Sequence, residues 1–271
     1  MSLFLSASSS ALFTRSGLVL AHTLLRYLLF AGGAYLFFYV WRRRQWLARR
    51  IQPRFPTDKQ LRQEISYSLL TAVIFAGIFL LVFWLRHLGF TRIYTDVHQY
   101  GWAYLGLSIG LLIGLHDTYF YWSHRLMHHR RVFPYVHRVH HLSHNPSPWA
   151  AYAFHPLEAV IEAGILPLAV FVLPVHPLAL ALFGLYTITF NVIGHLGYEL
   201  LPPRLHRHWL GRWQNTGTHH NLHHQLVQGN YGLYFNFWDT WMGTNHRLNE
   251  DRYHQATRQP RQPAPSGSGA G

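Results

Sequence analysis

Histidine is concentrated in two parts of this 271-residue chain, which contains 22 histidines in total. The first part runs from His116 to His155, and the second is the short segment from Thr218 to His224. Neutral imidazole is the commonest metal ligand in proteins, so the two segments suggest one metal site built from both. The chain has no cysteine, which excludes disulfides and thiolate ligands and leaves nitrogen and oxygen donors.

The spacing of the histidines favours ligation from helices. His124 and His128 are four residues apart and would lie on one face of a helix. The pattern H-x-x-H-H occurs twice, and its i, i+3, i+4 spacing would allow all three imidazoles of each copy to face one way. These copies consist of His137, His140 and His141, and of His220, His223 and His224. We expect all eight residues to bind metal, because apolar and aromatic residues flank them rather than the glycine or serine of a loose histidine-rich tract.

Histidines outside these patterns are expected to be ordinary surface or core residues, which a lone histidine usually is. This group comprises His22, His87, His98, His176, His246 and His254. His129 and His144 adjoin the patterns without fitting them, and their role stays open.

The composition indicates that helices crossing a membrane position these histidines. Hydrophobic residues make up 49% of the chain and charged residues only 12%, about half of what a soluble domain contains. About 20 apolar residues span a bilayer, and the stretch from Ile65 to Leu85 carries no charge. The predicted membrane segments are Gly17–Trp41, Ile65–Leu85, Trp102–Tyr121 and a hairpin of Leu157–Leu173 and Leu178–Leu196. The fold class is therefore all-α: a polytopic membrane bundle of about four to five segments with a cytoplasmic, histidine-rich helical cap.

The hairpin is expected to bring a further histidine, His195, close to the predicted metal site. Proline residues in Pro174–Pro177 break the apolar stretch near its middle, so the chain should turn there as two short spans or as a re-entrant pair. His195 lies at the returning end, beside His155, and is a candidate ligand. Arg26 in the first span should face other helices or extend towards the membrane surface.

The basic residues set the expected orientation. Trp41–Arg54 contains six arginines, and such loops are usually cytoplasmic, which places every histidine cluster on the cytoplasmic side. The net charge of +13 then indicates attraction to lipid headgroups. Binding of nucleic acid is the other reading of a basic chain, and we do not expect it, because no nucleic-acid-binding module is visible.

One carboxylate precedes the first pair of histidines on the same helical stripe. Asp117, Tyr121, His124 and His128 follow each other at i, i+4, i+7 and i+11. A carboxylate at the membrane edge is costly without a partner. We expect Asp117 to accept a hydrogen bond from a ligand imidazole and so fix its tautomer, with an ordinary interfacial carboxylate as the alternative.

The motifs together resemble the fatty acid hydroxylase/sterol desaturase superfamily of membrane di-iron oxygenases. The matching sequences are D-x-x-x-Y-W-x-H-R-x-x-H from Asp117, H-x-x-H-H from His137, H-P-x-E from His155, H-x-G-Y-E from His195, H-x-x-H-H from His220, and N-Y-G, W-D and G-T between Asn230 and Thr244. Each motif alone is weak, and their order around two membrane segments makes the resemblance specific.

The resemblance implies two irons, activation of O2, and hydroxylation or desaturation of a lipid carbon. The ligands it implies are His124, His128, His137, His140, His141, His195, His220, His223 and His224, with His155 and His219 as additional candidates. Residues expected to hydrogen-bond around the ligands are Asp117, Tyr121, Glu158, Glu199 and Asp239. So many histidines exceed the three or four ligands of one zinc ion.

The expected organisation has three parts: membrane helices and the basic loop in residues 1–100, the catalytic domain in 101–250, and a disordered tail in 251–271. Two other functions remain open: a histidine-rich membrane metal transporter or buffer, and a zinc-dependent membrane hydrolase. The first would need polar residues along the spans, and the short zinc motif H-E-x-x-H is absent. The substrate (fatty acyl chain, sterol, carotenoid or ether lipid) and the choice between hydroxylation and desaturation stay undecided.

Electrons for O2 activation are expected from a separate redox protein. The sequence has no G-x-G-x-x-G fingerprint for a flavin or nicotinamide cofactor and no cysteine for an iron–sulfur cluster. The basic face would favour an acidic donor.

Overall fold

The computed structural model describes residues 9–258, and this part of the chain is helical, without a β-strand. The main helices are α1 (residues 9–41), α2 (Asp58–His87), α3 (Gly101–Met127), α4 (Pro156–Ala163), α5 (Ile165–Val172), α6 (Pro177–His195), α7 (Gly217–Leu226), α8 (Phe237–Trp241) and α9 (Asn249–Thr257). Shorter helical turns cover Arg43–Trp46, Phe133–Val136, His140–Leu142, Pro148–Tyr152 and Pro203–His206. The predicted all-α fold is confirmed.

Three helices in residues 9–258 are long and apolar enough to cross a membrane: Phe13–Trp41, Asp58–His87 and Pro177–His195. They correspond to three of the predicted segments. At 30 residues, α2 is about 45 Å long, more than the hydrocarbon core of a bilayer. Thr57 caps its first turn by accepting a hydrogen bond from the backbone N–H of Gln60.

The predicted third span is a single helix but is not one of these three. Helix α3 runs without a break from Gly101 to Met127, as expected for a helix that carries an apolar stretch into the first ligands. The polar residues His116 and Asp117 lie in its second half and lower the mean hydropathy of the helix. Both side chains are buried inside the protein. The total of four to five membrane segments therefore stays a prediction.

The first arm of the predicted hairpin is divided into two eight-residue helices, α4 and α5. Pro167 lies near the start of α5, and because proline has no backbone N–H it cannot bond to the carbonyl four residues earlier. Neither helix is long enough to span a bilayer, whereas the returning arm, α6, is. At the turn, the backbone of Val175 pairs with that of Arg92 and Tyr94, which joins the hairpin to the α2–α3 connection.

An aromatic cluster holds α1, α2 and α6 around the turn Pro148–Tyr152. Tyr27 of α1 and Ser68 of α2 both donate hydrogen bonds to the backbone carbonyl of Trp149. The rings of Tyr27 and Tyr152 stack with centroids 5.4 Å apart. This cluster fixes the membrane helices relative to the segment that follows the first H-x-x-H-H motif.

The arginine-rich loop lies on the same side of the molecule as the histidine clusters. The Arg49 carbonyl accepts a hydrogen bond from the backbone of Glu199, and Ile51 donates to Gly197, just after the end of α6. The Gln52 side chain donates to the side-chain oxygen of Asn221 in α7. The loop and the clusters therefore lie close together, and the cytoplasmic location of both stays a prediction.

The end of the chain differs from the predicted disordered tail. Helix α9 extends to Thr257, beyond the predicted boundary at residue 250. Tyr253 is buried, and its hydroxyl donates to the carbonyl of Leu201, so this residue holds the helix against the rest of the protein. The polar composition of the segment did not indicate this contact. Residues 259–271 lie outside the described part of the chain.

Candidate metal centre

Nine predicted ligands converge in two adjacent groups. Within each group, one ring nitrogen of every histidine lies within 4.8 Å of the others. The first group, called pocket A, consists of His124, His128, His137, His141 and His223. The second, called pocket B, consists of His140, His195, His220 and His224. The pockets adjoin, since the rings of His141 and His224 stack with centroids 4.9 Å apart.

The nitrogen spacing in both pockets fits a metal with imidazole ligands. In pocket A, the Nε2 atom of His137 lies 3.0 Å from that of His124 and 3.1 Å from that of His141. In pocket B, the Nε2 atom of His195 lies 3.0 Å from that of His220 and 3.2 Å from that of His224. Two ligands at right angles on a metal, with bonds of about 2.1 Å, place their nitrogens about 3.0 Å apart.

Each H-x-x-H-H motif divides its histidines between the pockets, which differs from the expectation that all three would face one way. In α7, His220 and His224 are one turn apart and share pocket B, while His223 lies about 100° around the helix from His224 and enters pocket A. The first motif is not on a continuous α-helix. His137 caps the short helix Phe133–Val136, and His140 opens a 3₁₀ turn that directs it into pocket B.

Backbone carbonyls orient several of the imidazoles. The Nδ1–H groups donate to carbonyls in four cases: from His124 to Tyr231 (2.8 Å), from His223 to Gly229 (2.7 Å), from His195 to Asn191 (2.7 Å) and, at the longer distance of 3.4 Å, from His140 to Ala153. Donation from Nδ1 leaves the Nε2 lone pair free to bind a metal. Sequence reasoning missed these acceptors, although Asn191 precedes His195 by one helical turn and Tyr231 belongs to the N-Y-G motif.

Glu158 hydrogen-bonds to a ligand, as the sequence predicted. Its carboxylate lies 2.7 Å from Nδ1 of His137, and both side chains are buried. Glu158 belongs to the first turn of α4, whose N-terminus is capped by His155. A carboxylate on the second ring nitrogen fixes the tautomer and makes Nε2 a better donor to a metal.

Two other predicted partners, Asp117 and Glu199, hold backbone segments instead of imidazoles. Asp117 accepts hydrogen bonds from the backbone N–H groups of Tyr234 (2.9 Å) and Phe235 (3.2 Å), so its predicted bond to a ligand imidazole is not present. The side-chain spacing on α3 is as expected, but the carboxylate faces the chain after α7. Glu199 accepts from the backbone and hydroxyl of Thr218 and so caps α7.

Asp239 and Tyr121 stabilise the loop that provides the Tyr231 carbonyl. Asp239 accepts the backbone N–H groups of Tyr231 and Gly232 and the hydroxyl of Thr244. The Tyr121 hydroxyl lies 2.9 Å from the same threonine oxygen. These residues therefore act on the ligands through the backbone.

The two additional candidate ligands lie outside both pockets. His155 is partly exposed, and its Nδ1 accepts the backbone N–H of Leu157 as the cap of α4. His219 is buried with Nε2 3.6 Å from a carboxylate oxygen of Asp239. Both have other structural partners. His219 points away from the pockets because adjacent residues on a helix, here His219 and His220 of α7, point in different directions.

Burial keeps the pocket histidines neutral. Desolvation lowers the pKa of His128 to about 2, and it lowers the pKa values of His137 and His223 well below the ordinary value. The Nε2 atoms of His128 and His223 are buried and have no hydrogen-bond partner within residues 9–258. Buried lone pairs without partners are costly, and a bound metal would satisfy them. The donor set therefore fits metal ions held by imidazole.

An apolar cavity of about 480 Å³ lies between α1, α2 and α6, and two residues of its wall contact histidines of pocket B. Its wall includes Phe154, whose ring centroid is 5.1 Å from that of His140, and Asn191, the hydrogen-bond acceptor of His195. Sequence reasoning did not find this cavity, because its lining comes from helices far apart in the chain.

The fold and the two pockets define a helical protein with helices that are apolar enough to cross a membrane and with a paired, all-histidine candidate metal centre. The family model described as Fatty acid hydroxylase matches residues 109–244, which include all nine pocket histidines. The chain belongs to the fatty acid hydroxylase family, and the resemblance predicted from the motifs is confirmed.

Similar proteins include two fungal Delta(7)-sterol 5(6)-desaturases. The chain is 35% identical to ERG3B of Gibberella zeae over 78% of this chain and 64% of that protein. It is 34% identical to erg3C of Aspergillus fumigatus over 86% of this chain and 76% of that protein. Lathosterol oxidase of Rattus norvegicus is 32% identical over 58% of this chain and 52% of that protein. The matches thus cover about half to three quarters of these relatives, and no solved structure matches.

Proposed function

We propose that this protein is a membrane oxidoreductase that uses two irons and O2 to hydroxylate or desaturate a C–H bond of a lipid. The observation that carries the proposal is the pair of histidine pockets beside an apolar cavity, whose wall includes the neighbours Phe154 and Asn191 of pocket B. The names of the relatives, which are sterol desaturases and lathosterol oxidases, favour a sterol-like lipid.

Pockets A and B would each hold one iron. Nitrogen ligands of this kind suit iron as well as zinc and copper, and the redox chemistry required to attack an unactivated C–H bond favours iron. Bound iron supplies the activation of O2. The nine imidazoles hold the metals, while Glu158 and the carbonyls of Tyr231, Gly229 and Asn191 orient the rings.

The remaining residues position the lipid and exclude water. Phe154 and Leu233 line the cavity, Phe154 beside pocket B, and present apolar surface to the substrate. A cavity of this size lies within the usual range of sites that bind small molecules. A dry site also protects reactive intermediates from side reactions with water.

We further propose that a separate protein delivers electrons from the cytoplasm. Three exposed arginines, Arg130, Arg131 and Arg138, lie near the pocket A histidines in the chain. A basic surface of this kind would attract an acidic donor, and the association rate would fall as salt rises. The positive loop 41–54 on the same side supports the cytoplasmic assignment.

The test is lipid analysis of cells with and without the protein. Expression in a host that supplies iron and an electron donor should give a new lipid with one more oxygen or two fewer hydrogens than its precursor. Purified, iron-replete protein should contain close to two irons per chain. A single zinc ion that supports turnover would instead favour a zinc hydrolase, and unchanged lipids despite full iron loading would contradict the proposal.

A further inference from the structure

One oxidisable aromatic ring lies against pocket A. Within residues 9–258, the rings beside the pocket histidines, histidine itself excepted, are those of Phe120, Phe133, Phe154 and Tyr231. The Tyr231 ring centroid is 5.1 Å from that of His128 and 5.8 Å from that of His124, both in pocket A. Phenylalanine resists oxidation, whereas the phenol of tyrosine and the indole of tryptophan can lose one electron to a strong oxidant. Tyr231 is therefore the aromatic side chain in this range that can give an electron directly to pocket A.

A continuous series of rings, called the aromatic row, leads from Tyr231 to the protein surface. The ring centroid of Tyr121 is 6.3 Å from that of Tyr231, and the ring of Trp238 stacks on Tyr121 at 5.8 Å. Trp241 follows at 5.4 Å from Trp238, and its side chain is 63% exposed. Trp122, which is also exposed, contacts Trp238 at 5.6 Å and gives the row a second end at the surface. Every member is tyrosine or tryptophan, so each ring in the row can be oxidised.

The buried tyrosine of the aromatic row has a route for its proton. A tyrosine that loses an electron also loses its phenolic proton, so a buried one needs an acceptor within hydrogen-bond distance. The Tyr121 hydroxyl lies 2.9 Å from Oγ1 of Thr244, which donates its own hydrogen to Asp239 at 2.7 Å. A hydroxyl has one hydrogen to donate, so Tyr121 is the donor in its bond to Thr244. The indole of Trp238 donates to Thr118 and needs no such route, since an oxidised tryptophan can keep its proton.

The chemistry of its members gives the aromatic row a direction. Tyrosine and tryptophan are easily oxidised and very hard to reduce, so an electron deficiency can move along their rings, whereas an extra electron cannot reside on them. On the basis of the proposed function, we propose that the aromatic row discharges an oxidant that forms in pocket A when no lipid is bound. Without a substrate, an oxidant held beside imidazoles would otherwise attack its own ligands, which is one of the side reactions that an active site must prevent.

Electrons and protons balance when a soluble thiol is the reductant. An oxidant at the level of one oxygen atom takes up two electrons and two protons to become water. Each electron moves inwards from Trp241 through Trp238 and Tyr121 to Tyr231 and the pocket, and a thiol at the surface then returns one electron to Trp241. Two thiols become one disulfide, and their two protons equal the two that the oxidant takes up. The pocket histidines stay intact, and the thiol is consumed instead.

The experiment adds hydrogen peroxide to the full chain, loaded with ferrous iron in detergent without lipid. Freeze-quenched samples are examined by electron paramagnetic resonance, and oxidised residues are mapped by peptide mass spectrometry. Wild type should give a tyrosine or tryptophan radical and oxidation products at Trp241, and glutathione should remove the radical. Trp238→Phe interrupts the row, and Tyr231→Phe removes the phenol but keeps the ring and the backbone carbonyl. In both variants the radical yield per bound iron should fall severalfold, and oxidation of His124 and His128 should rise.

The matched control is Trp209→Phe, which replaces an exposed tryptophan outside the aromatic row and should behave as wild type. Absence of an aromatic radical in iron-loaded wild type, or an unchanged radical yield in both row variants, would overturn the proposal. So would oxidation of Trp209 as strong as that of Trp241 in wild type, because it would show that freely diffusing radicals cause the damage.

The test of the aromatic row separates from the test of the proposed function. Peroxide replaces both O2 and the electron donor, and no lipid takes part. Lipid product without an aromatic radical would contradict the aromatic row alone. The expected radical pattern without any lipid product would contradict the proposed function alone.

Discussion

At the scale of single residues, the centre depends on the two nitrogens of each imidazole having separate tasks. In His124, His195 and His223 the Nδ1–H is bound to a backbone carbonyl, and Nε2 faces the pocket. Burial disfavours protonation, so Nε2 keeps its lone pair. The ligands are thus prepared for a metal by the fold itself.

Replacement of a pocket residue should separate ligands from bystanders. His223→Ala removes one imidazole from pocket A and leaves the Gly229 carbonyl without its donor, so iron content should fall and lipid product should fall at least tenfold. His254→Ala should change neither, because His254 is exposed and belongs to neither pocket; its ion-pair partner is the exposed Glu250. Iron content by metal analysis and product by mass spectrometry provide the test, and equal behaviour of both variants would refute the assignment.

Glu158→Gln tests the carboxylate beside His137. An amide keeps the size of the side chain but cannot ionise, so it cannot act as a carboxylate partner of the imidazole 2.7 Å away. Metal affinity or activity should drop about 10- to 100-fold while the protein stays folded. The matched control is Glu250→Gln, an exposed glutamate far along the chain. Unaltered iron affinity in Glu158→Gln would show that the hydrogen bond has no influence on the metal.

Residue spacing was sufficient to predict which histidines converge, but not how they are distributed. His140 and His141 are neighbours in the chain yet belong to different pockets, because a 3₁₀ turn rotates them apart. The role of Asp117 was beyond prediction for a related reason. Its carboxylate accepts hydrogen bonds from backbone N–H groups of residues more than 100 positions away, which no local pattern indicates.

At the scale of elements, α7 is the helix on which both pockets depend. Glu199 and Thr216 satisfy the N–H groups of its first turn, and the chain beyond it turns through Val227 and Gly229, both with positive φ. A left-handed conformation is unusual for a β-branched residue such as Val227. That turn brings the Gly229 carbonyl back to His223.

Gly232→Ala tests the loop that faces α7. A Cβ atom at Gly232 would lie 2.5 Å from the carbonyl oxygen of Phe235 and 2.9 Å from the Asp239 carboxylate, so the loop must shift. We expect a loss of roughly 1–3 kcal/mol of stability and weaker iron retention, because the adjacent Tyr231 carbonyl would move from His124. Gly106→Ala, with no atom within 4 Å of the added Cβ, should not lower the melting temperature. Thermal unfolding followed by fluorescence distinguishes the two.

The extent of a helix was predictable where its composition is uniformly apolar, and less predictable where a single residue interrupts the helix. Helix α2 contains the whole uncharged stretch Ile65–Leu85 and extends it at both ends. The first hairpin arm looked equally apolar, but Pro167 divides it. The cavity between α1, α2 and α6 results from the way these helices pack together, and the sequence pattern of a single helix does not predict that packing.

At the scale of the whole molecule, the buried histidines predict how stability depends on pH. In the unfolded chain a histidine titrates near pH 6.5, whereas burial lowers the pKa of His128 to about 2 and those of His220 and His224 well below the ordinary value. Below about pH 6.5 the unfolded chain therefore binds more protons, and metal-free protein loses stability as pH falls. The loss is up to about 1.4 kcal/mol per pH unit for each such histidine.

Melting temperatures of metal-free protein between pH 7.5 and pH 5.5 provide the measurement. His128→Asn should flatten the dependence, since it removes one group that takes up a proton on unfolding. His254→Asn should leave the slope as it is in wild type, because His254 is exposed. A melting temperature that rises towards acid pH would contradict the neutral state of the pockets.

The shared use of each H-x-x-H-H motif has a consequence for how the metals are acquired. Because α7 contributes His223 to pocket A and His220 and His224 to pocket B, an ion bound in one pocket would also restrain the helix that provides ligands to the other. The conformational entropy of α7 is then lost when the first ion binds, and the second ion should bind more tightly than the first. Titration of metal-free protein with ferrous iron should therefore give a sigmoidal curve, with few chains carrying a single ion. On this expectation, most protein molecules have metal in both pockets or in neither.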